Sequence, residues 1–410
     1  MDIDSLYAKY KAAKNLDEIS ECIVEALRIR KKTSDLPNTL LEIGYRGDVL
    51  TYMTLKALGS GDGERAKFFT YEIADYLKDS PKQSFLTEYL LGRANYQTGD
   101  YVRAAKFFAL YDMYRARVWN DVDELSFFYR ANCLALQGRL KDALKIYAVA
   151  LQTKLDFPEA RMNFESMRSG STENLILEVS SLWNVDDFWD IPIFINARDR
   201  LGVMKKLVDW LLDAGYRNVI ILDNDSTYPP LLEYYSEIDK NPRVKIITLG
   251  ENFGYRALWD SKVLEYLHIG TPYVYTDPDV VPAENCPKDV VRRLYEILSA
   301  NREIRKVGLG LIWEDITFYD KAVWQEKESD FYARGNLGNG IAYANVDTTF
   351  ALYSNLRSYS LRFSLRTVGD LRARHLPWYF DYDNLPEDEK YYLDHADKSF
   401  VTTVKDKIQE

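Results

Sequence analysis

The sequence predicts an all-α segment of helical repeats followed by an α/β domain. Three observations predict it. Apolar residues recur at three- and four-residue spacing from the start to about residue 168, with no strand-like alternation. A small, polar stretch then interrupts the pattern at Ser169-Gly170-Ser171-Thr172-Glu173-Asn174. Beyond it, short runs rich in Val, Ile and Tyr alternate with helical stretches, the pattern of an α/β sheet. The boundaries that follow are 1–168 for the repeats, 169–190 for a linker and 191–410 for the α/β domain.

The helical part repeats itself. Gly61-Asp62-Gly63-Glu64-Arg65-Ala66-Lys67-Phe68-Phe69 matches Gly99-Asp100-Tyr101-Val102-Arg103-Ala104-Ala105-Lys106-Phe107-Phe108 with one residue inserted. A third copy runs from Gly138 through Ala143 to Tyr147. Each glycine is expected at a turn between two helices, and each alanine (Ala66, Ala104, Ala143) lets the helices approach closely. The aromatic after it fills the gap between hairpins. The order of turn, alanine and aromatic resembles the tetratricopeptide pattern, although the glycines recur at 38 and 39 residues (61, 99, 138) rather than the ~34 of that repeat. Such arrays commonly bind proteins, so a protein acceptor, an assembly partner or a second copy of the chain is expected on them.

Composition narrows the partners. The net charge of −10 argues against nucleic acid, and acidic clefts suit divalent cations. Cys22, Cys133 and Cys286 form no CxxC pair, which fits a reducing compartment. The opening residues lack a signal-peptide pattern, and no apolar run reaches the ~18 residues of a membrane span, so a cytoplasmic protein without an integral membrane segment is expected. The 31 tyrosines are expected mostly at half-buried helix and sheet positions.

In the α/β part, polar residues follow each apolar run. Strands are expected at 191–195, 218–222, 244–248 and 273–276. They lead into Asn196-Ala197-Arg198-Asp199-Arg200, Asp223-Asn224-Asp225-Ser226-Thr227, Glu251-Asn252-Phe253-Gly254-Tyr255-Arg256 and Asp277-Pro278-Asp279. In open α/β sheets ligands bind at that edge. Asp277 and Asp279 leave a strand end one residue apart, with Pro278 stiffening the link. Hard cations such as Mn²⁺ or Mg²⁺ prefer such oxygen ligands and share them with a diphosphate.

These motifs together resemble nucleotide-sugar glycosyltransferases of the GT-A fold, closest to the family-2-like inverting group, over roughly the last 215 residues. The resemblance implies a Rossmann-like nucleotide-diphospho-sugar transferase domain. It implies transfer of a hexosyl or N-acetylhexosaminyl group from a UDP-type donor to a glycan or protein acceptor. By resemblance, Asn196, Arg198, Asp223, Asp225, Asn252 and Gly254 surround the nucleoside, Arg256 meets donor phosphate, and Asp277 lies near the ribose and sugar. Asp277 and Asp279 hold the metal, joined by His375 in Arg374-His375-Leu376-Pro377-Trp378. Trp259, Trp313 and Trp378 are sugar-platform candidates, with core packing the alternative for each.

An inverting transfer needs one carboxylate to take the acceptor proton. Asp347, Asp315 and Glu314 are the candidates in that order, with Asp388 a distant fourth. Asp347 stands first because it interrupts an apolar run, 344–353, expected to be a strand, where a charge needs a purpose. Asp315 and Glu314 end the run 306–312, expected to be the fifth strand. Two other classes compete. A sugar nucleotidyltransferase usually opens with a glycine-rich loop after the first strand, and 196–200 holds no glycine. A repeat-based binding scaffold with a degenerate transferase domain fits poorly with an intact Asp277-Pro278-Asp279.

Overall fold

Gly61, Gly99 and Gly138 have φ of 81°, 79° and 75°, the left-handed backbone that a residue without Cβ adopts freely. Each closes a helix with the same pair of bonds. Around Gly99, for instance, its own N–H donates to Tyr96 O and the N–H of Asp100 to Asn95 O. Ala66, Ala104 and Ala143 are all fully buried, one turn into the next helix. The sequence repeat is therefore a repeat of one helical hairpin. Asp100 caps its helix by accepting from the N–H of Arg103 at 3.1 Å.

The computed structural model describes residues 3–30, 47–78, 84–119, 122–153, 157–179, 185–270, 272–316, 321–335, 337, 339–354, 359, 361 and 363–396. The chain divides into two compact units. One comprises Met1–Ser181, Asn301–Glu303 and Leu337–Asn339; the other holds the remaining residues. Linker residues 180–184 and the tail 397–410 lie outside the described residues.

The first unit is helical. Its described helices include Gly47–Gly59, Gly63–Lys78, Ser84–Gln97, Tyr101–Tyr114, Glu124–Leu136, Leu140–Thr153 and Pro158–Arg168. Consecutive members pack as antiparallel hairpins around Tyr89, Phe108, Tyr111, Phe128, Tyr147 and Phe157, none more than 2% exposed. No described helix is long and apolar enough to cross a membrane.

The second unit is α/β. Its main sheet has the order β3-β2-β1-β4-β9-β6-β10-β8, with β1 Ile193–Ala197, β2 Val219–Asp223, β3 Val244–Thr248, β4 Tyr273–Thr276, β6 Lys306–Gly308, β8 Ile341–Tyr343, β9 Ala351–Tyr353 and β10 Ser364–Thr367. Strands β1, β2, β3 and β4 run parallel, with Ala197 opposite Asp223, Asp223 opposite Thr248, and Ile195 opposite Thr276. Their carboxyl ends therefore share one edge. A three-stranded sheet, β5-β11-β7, is made of β5 Val280–Pro282, β11 Arg372–His375 and β7 Gly310–Leu311.

Two expected strands are broken. The run 306–312 divides at Leu309 between the two sheets. Glycine flanks the break on both sides because space is short there: a Cβ on Gly308 would strike Val346, and one on Gly310 would strike the Thr367 carbonyl and the Tyr332 hydroxyl. The run 344–353 is strand only from Ala351, and Asp347 sits exposed in the loop before it. Asp347 is thus no buried charge in a strand, as expected, but a carboxylate in water.

Most described tyrosines are half-buried or exposed, but some in the sheet are buried more deeply than expected. Tyr273, Tyr275 and Tyr353 are fully buried in the sheet core with Phe194, Leu222 and Trp259. Burial is affordable where hydroxyls find partners: Trp259 Nε1 donates to Tyr273 at 3.0 Å, and Tyr275 donates to the Tyr255 carbonyl at 2.9 Å.

Candidate active site

The parallel sheet edge gathers Asn196, Asp223, Asn224 and Asp277. Asn224 accepts from the N–H of Phe253 at 2.8 Å and donates to the Gly254 carbonyl at 3.0 Å. Asn196 donates to the same carbonyl at 3.1 Å, and Asn252 accepts from the N–H of Gly254 at 2.9 Å. These side chains fix the loop after β3 against the ends of β1 and β2. Asn196 Oδ1 is buried with no partner among the described residues, so it retains an acceptor at this edge.

Asp223 is buried and accepts from the N–H of Ser226 at 3.2 Å and from Tyr235 at 3.3 Å. Burial raises its carboxyl above the ordinary range, against these hydrogen bonds. Asp199, with φ of 54°, accepts from the N–H groups of Thr227 and Tyr228 at 2.6 and 2.9 Å, so it fastens the β1 loop to the β2 loop. Asp225, in the loop after β2, also has positive φ, 67°, and is half-buried. Arg198 stands 3.7 Å from Asp199. Arg256 is bonded to Asp260 along its own helical turn at 3.1 Å and is half-exposed.

The two aspartates after β4 have different surroundings. Half-buried Asp277 accepts from the Thr348 hydroxyl at 2.5 Å, and its N–H donates to the Thr348 carbonyl at 2.8 Å. Burial, and then the neighbouring Asp279 charge, push the Asp277 carboxyl well above the ordinary range. Asp279 is 4% exposed, with Arg200 Nη1 at 2.5 Å and His375 Nε2 at 3.4 Å from its Oδ2. Burial pushes its carboxyl up, but His375 and Arg200 prevail and hold it below the ordinary range. Its Oδ1 is buried without a partner among the described residues.

Strand pairing brings His375 there: it lies opposite Val280 in the antiparallel β11–β5 pair, one residue from Asp279. The N–H of Leu376 donates to the Asp279 carbonyl at 2.9 Å. The donors Asp277, Asp279 and His375 suit a divalent cation in type, and the partnerless Asp279 oxygen is the kind of group a cation satisfies. Among the described residues no three His, Cys, Asp or Glu side chains stand together as a ready-made cage.

The three candidate bases separate. Arg374 grips both Asp315 oxygens at 2.9 and 2.7 Å, with Tyr379 adding a bond at 3.0 Å. Arg374 in the first place holds the Asp315 carboxyl low. Glu314 is paired with Arg372 at 2.6 Å and receives the N–H of Trp313 at 3.0 Å, and it too is held low against its partial burial. Asp347 accepts from Tyr359 at 2.5 Å and from the N–H of Thr348 at 2.9 Å, both on Oδ1. Among the described residues nothing donates to its Oδ2. Asp388 accepts from the N–H of Gly202 at 2.6 Å, in the first turn of the helix Leu201–Ala214, and so serves as a cap.

Sequence reasoning missed Arg200, Thr348, Tyr359 and Glu389. Arg200 is 10% exposed at its side chain, bonds both Glu389 oxygens at 2.8 and 3.0 Å, and lies over the Tyr392 ring. An arginine beginning a helix carries no local signal for this. Of the tryptophans, Trp259 and Trp378 belong to the core, at 3% and 5% exposure; Trp313 is half-buried.

No protein-family model matches the chain, and no curated protein is significantly similar to it. Solved structures that match the chain include two transferases. A mutant O-GlcNAc transferase from Thermobaculum terrenum is 14% identical with a TM-score of 0.27, over 49% of this chain and 41% of that one. The mannosyltransferase PcManGT from Pyrobaculum calidifontis, solved with GDP-Man and Mn²⁺, is 15% identical with a TM-score of 0.27, over 52% of this chain and 56% of that one. The aligned part thus spans less than two thirds of either neighbour, and at these scores the likeness carries no argument about this chain.

Proposed function

We propose that the α/β unit transfers a sugar from a nucleotide-diphosphate donor, with Asp277 and Asp279 at the donor's diphosphate. One observation carries this reading: a carboxylate pair at the shared edge of β1, β2 and β4, one member of which keeps a buried oxygen with no partner among the described residues. The asparagine-pinned loop after β3 shapes the same edge, which suits a nucleoside.

Asp279, Asp277 and His375 are the residues that would hold Mn²⁺ or Mg²⁺. Such a cation takes one or two protein carboxylates and completes its shell from phosphates and water, so an incomplete cage is what it needs. When bound it supplies charge neutralisation for the leaving diphosphate. Arg200 favours the ionised form of Asp279, leaving His375 free to bind as neutral imidazole. Thr348 ties Asp277 to the loop bearing Asp347. Asp347 Oδ2 takes the proton of the acceptor hydroxyl, with Oδ1 oriented by Tyr359 and the Thr348 N–H. Inversion in a single displacement, a UDP-type donor and a glycan or protein acceptor complete the reading.

The test is a panel of nucleotide sugars, each with Mn²⁺, read by thermal stabilisation and by donor hydrolysis. A true donor at 100 times its Kd stabilises the fold by about 2.7 kcal/mol. No stabilisation by any member, with or without metal, overturns the reading.

A further inference from the structure

Lys306 begins β6, a strand paired on both sides in the main sheet, and it is fully buried. Its ammonium donates to the Val346 carbonyl at 2.5 Å. It lies 5.0 Å from the centre of the Tyr353 ring and 5.6 Å from that of Tyr359. Among the described residues no carboxylate is bonded to it; Asp347 attracts it from a distance and Arg366 repels it. A buried ammonium that has a carbonyl and two ring faces in place of a bonded carboxylate is costly. Methionine, of similar length, would fill the position without that cost. The charge therefore does not serve the fold, and its use lies in what it touches.

It touches the residue before Asp347. In the parallel β10–β6 pair Lys306 stands opposite Ser364, and the two side chains hold both backbone groups of Val346. Lys306 donates to its carbonyl, and Ser364 Oγ accepts its N–H at 3.1 Å. Gly308, two residues along β6, leaves the room that the Val346 side chain fills. Arg366, two residues along β10, donates through Nε to the Asn345 carbonyl at 2.7 Å. Val346 is thus buried and fixed from two strands, and Asp347 emerges into solvent directly after it.

Two further contacts close around the same carboxylate. The Tyr359 ring, beside the ammonium, carries the hydroxyl that donates to Asp347 Oδ1. On the other side of Asp347, Thr348 is tied to Asp277 through both its hydroxyl and its carbonyl. An exposed side chain so anchored has few orientations left, and a base held in one orientation reacts faster than one that samples many.

We propose that Lys306 is a positioning residue for sugar transfer: its ammonium fixes the Asp347 carboxylate toward the acceptor hydroxyl, through the Val346 carbonyl on one side and the Tyr359 ring on the other. This rests on the reading of Asp347 as the base. The charge lowers the stability of the fold and sharpens the placement of one exposed group.

Lys306→Met is the test, because stability and activity should then move in opposite directions. At pH 6 the variant should melt at a higher temperature than the wild type, while kcat falls roughly 10- to 10²-fold with KM little changed. Adding Lys306→Met to Asp347→Asn should lower kcat no further than Asp347→Asn alone, since Lys306 acts through that carboxylate. Hydrogen exchange read by mass spectrometry needs no donor. The amides of residues 346–348 should exchange roughly tenfold faster in Lys306→Met, with the rest of the α/β unit no less protected. A variant both less stable and less active, a loss in kcat that adds in full to that of Asp347→Asn, or unchanged exchange at 346–348 overturns the proposal. If no donor turns over, the function proposed above falls, and the exchange result by itself decides whether Lys306 holds Asp347.

Discussion

Arg200 Nη1 lies 2.5 Å from Asp279 Oδ2, joining the first turn after β1 to the turn that begins β5. Its Nε holds Glu389, so one buried guanidinium neutralises two carboxylates. Removing it leaves Glu389 without its cation and Asp279 with only His375 beside it. Arg200→Met should cost roughly 3–5 kcal/mol, whereas Asp388→Ala, which removes only a helix cap, should cost about 1 kcal/mol. Urea denaturation of the two variants measures both; equal costs would contradict the buried pair's central place.

Asp279→Asn keeps the side-chain shape and removes the charge. Donor hydrolysis should fall by two orders of magnitude or more, with the loss of any response to Mn²⁺ or to chelator. The unfolded state should not be populated, because Glu389 still satisfies Arg200. Wild-type rates in this variant, or in excess chelator, exclude the metal reading.

The candidate bases are separable by kinetics. Asp347→Asn should lower kcat by roughly 10²–10⁴ with KM little changed. Asp315→Asn, whose carboxylate is already held by Arg374, should lower it by less than about tenfold. The reverse order would move the base to Asp315.

Lys306 predicts a pH dependence. It is fully buried, donates to the Val346 carbonyl at 2.5 Å, and burial pushes its ammonium down to about 7. In the unfolded chain a lysine titrates near 10.4. Between these values the unfolded state binds the extra proton, so this group makes stability rise with pH, by at most about 1.4 kcal/mol per unit. Below pH 7 both states are protonated and its penalty is complete. Lys306→Met should therefore stabilise the fold most at pH 6 and progressively less toward pH 10, read from melting temperatures; a difference independent of pH contradicts this.

Gly310→Ala tests the crossing between sheets. The added methyl meets the Thr367 carbonyl and the Tyr332 hydroxyl, and the backbone there cannot yield without unpairing β7 from β11. A loss of about 3 kcal/mol or more is expected by denaturation. At Gly138, where nothing crowds the Cβ and only the φ of 75° resists, alanine should cost about 1 kcal/mol.

The two architectural styles, the repeated hairpin and the four strands whose ends carry the polar motifs were all readable from local pattern. Each depends on patterns a few residues long: apolar spacing, a glycine where φ turns positive, a polar group where a strand stops. The strand 273–276 and the hairpin glycines at 61, 99 and 138 were legible for that reason. Tertiary structure alone decided which charged groups are held and which are available. Asp315 and Arg374 meet across 59 residues, and Arg200 and Glu389 across 189, through strand pairings and helix placements that no local pattern encodes. The same holds for 175–179, which read as a linker because its hydrogen-bond partners belong to helices elsewhere in the chain. Backbone conformation follows from neighbours in sequence; the pairing of buried polar groups follows from neighbours in space.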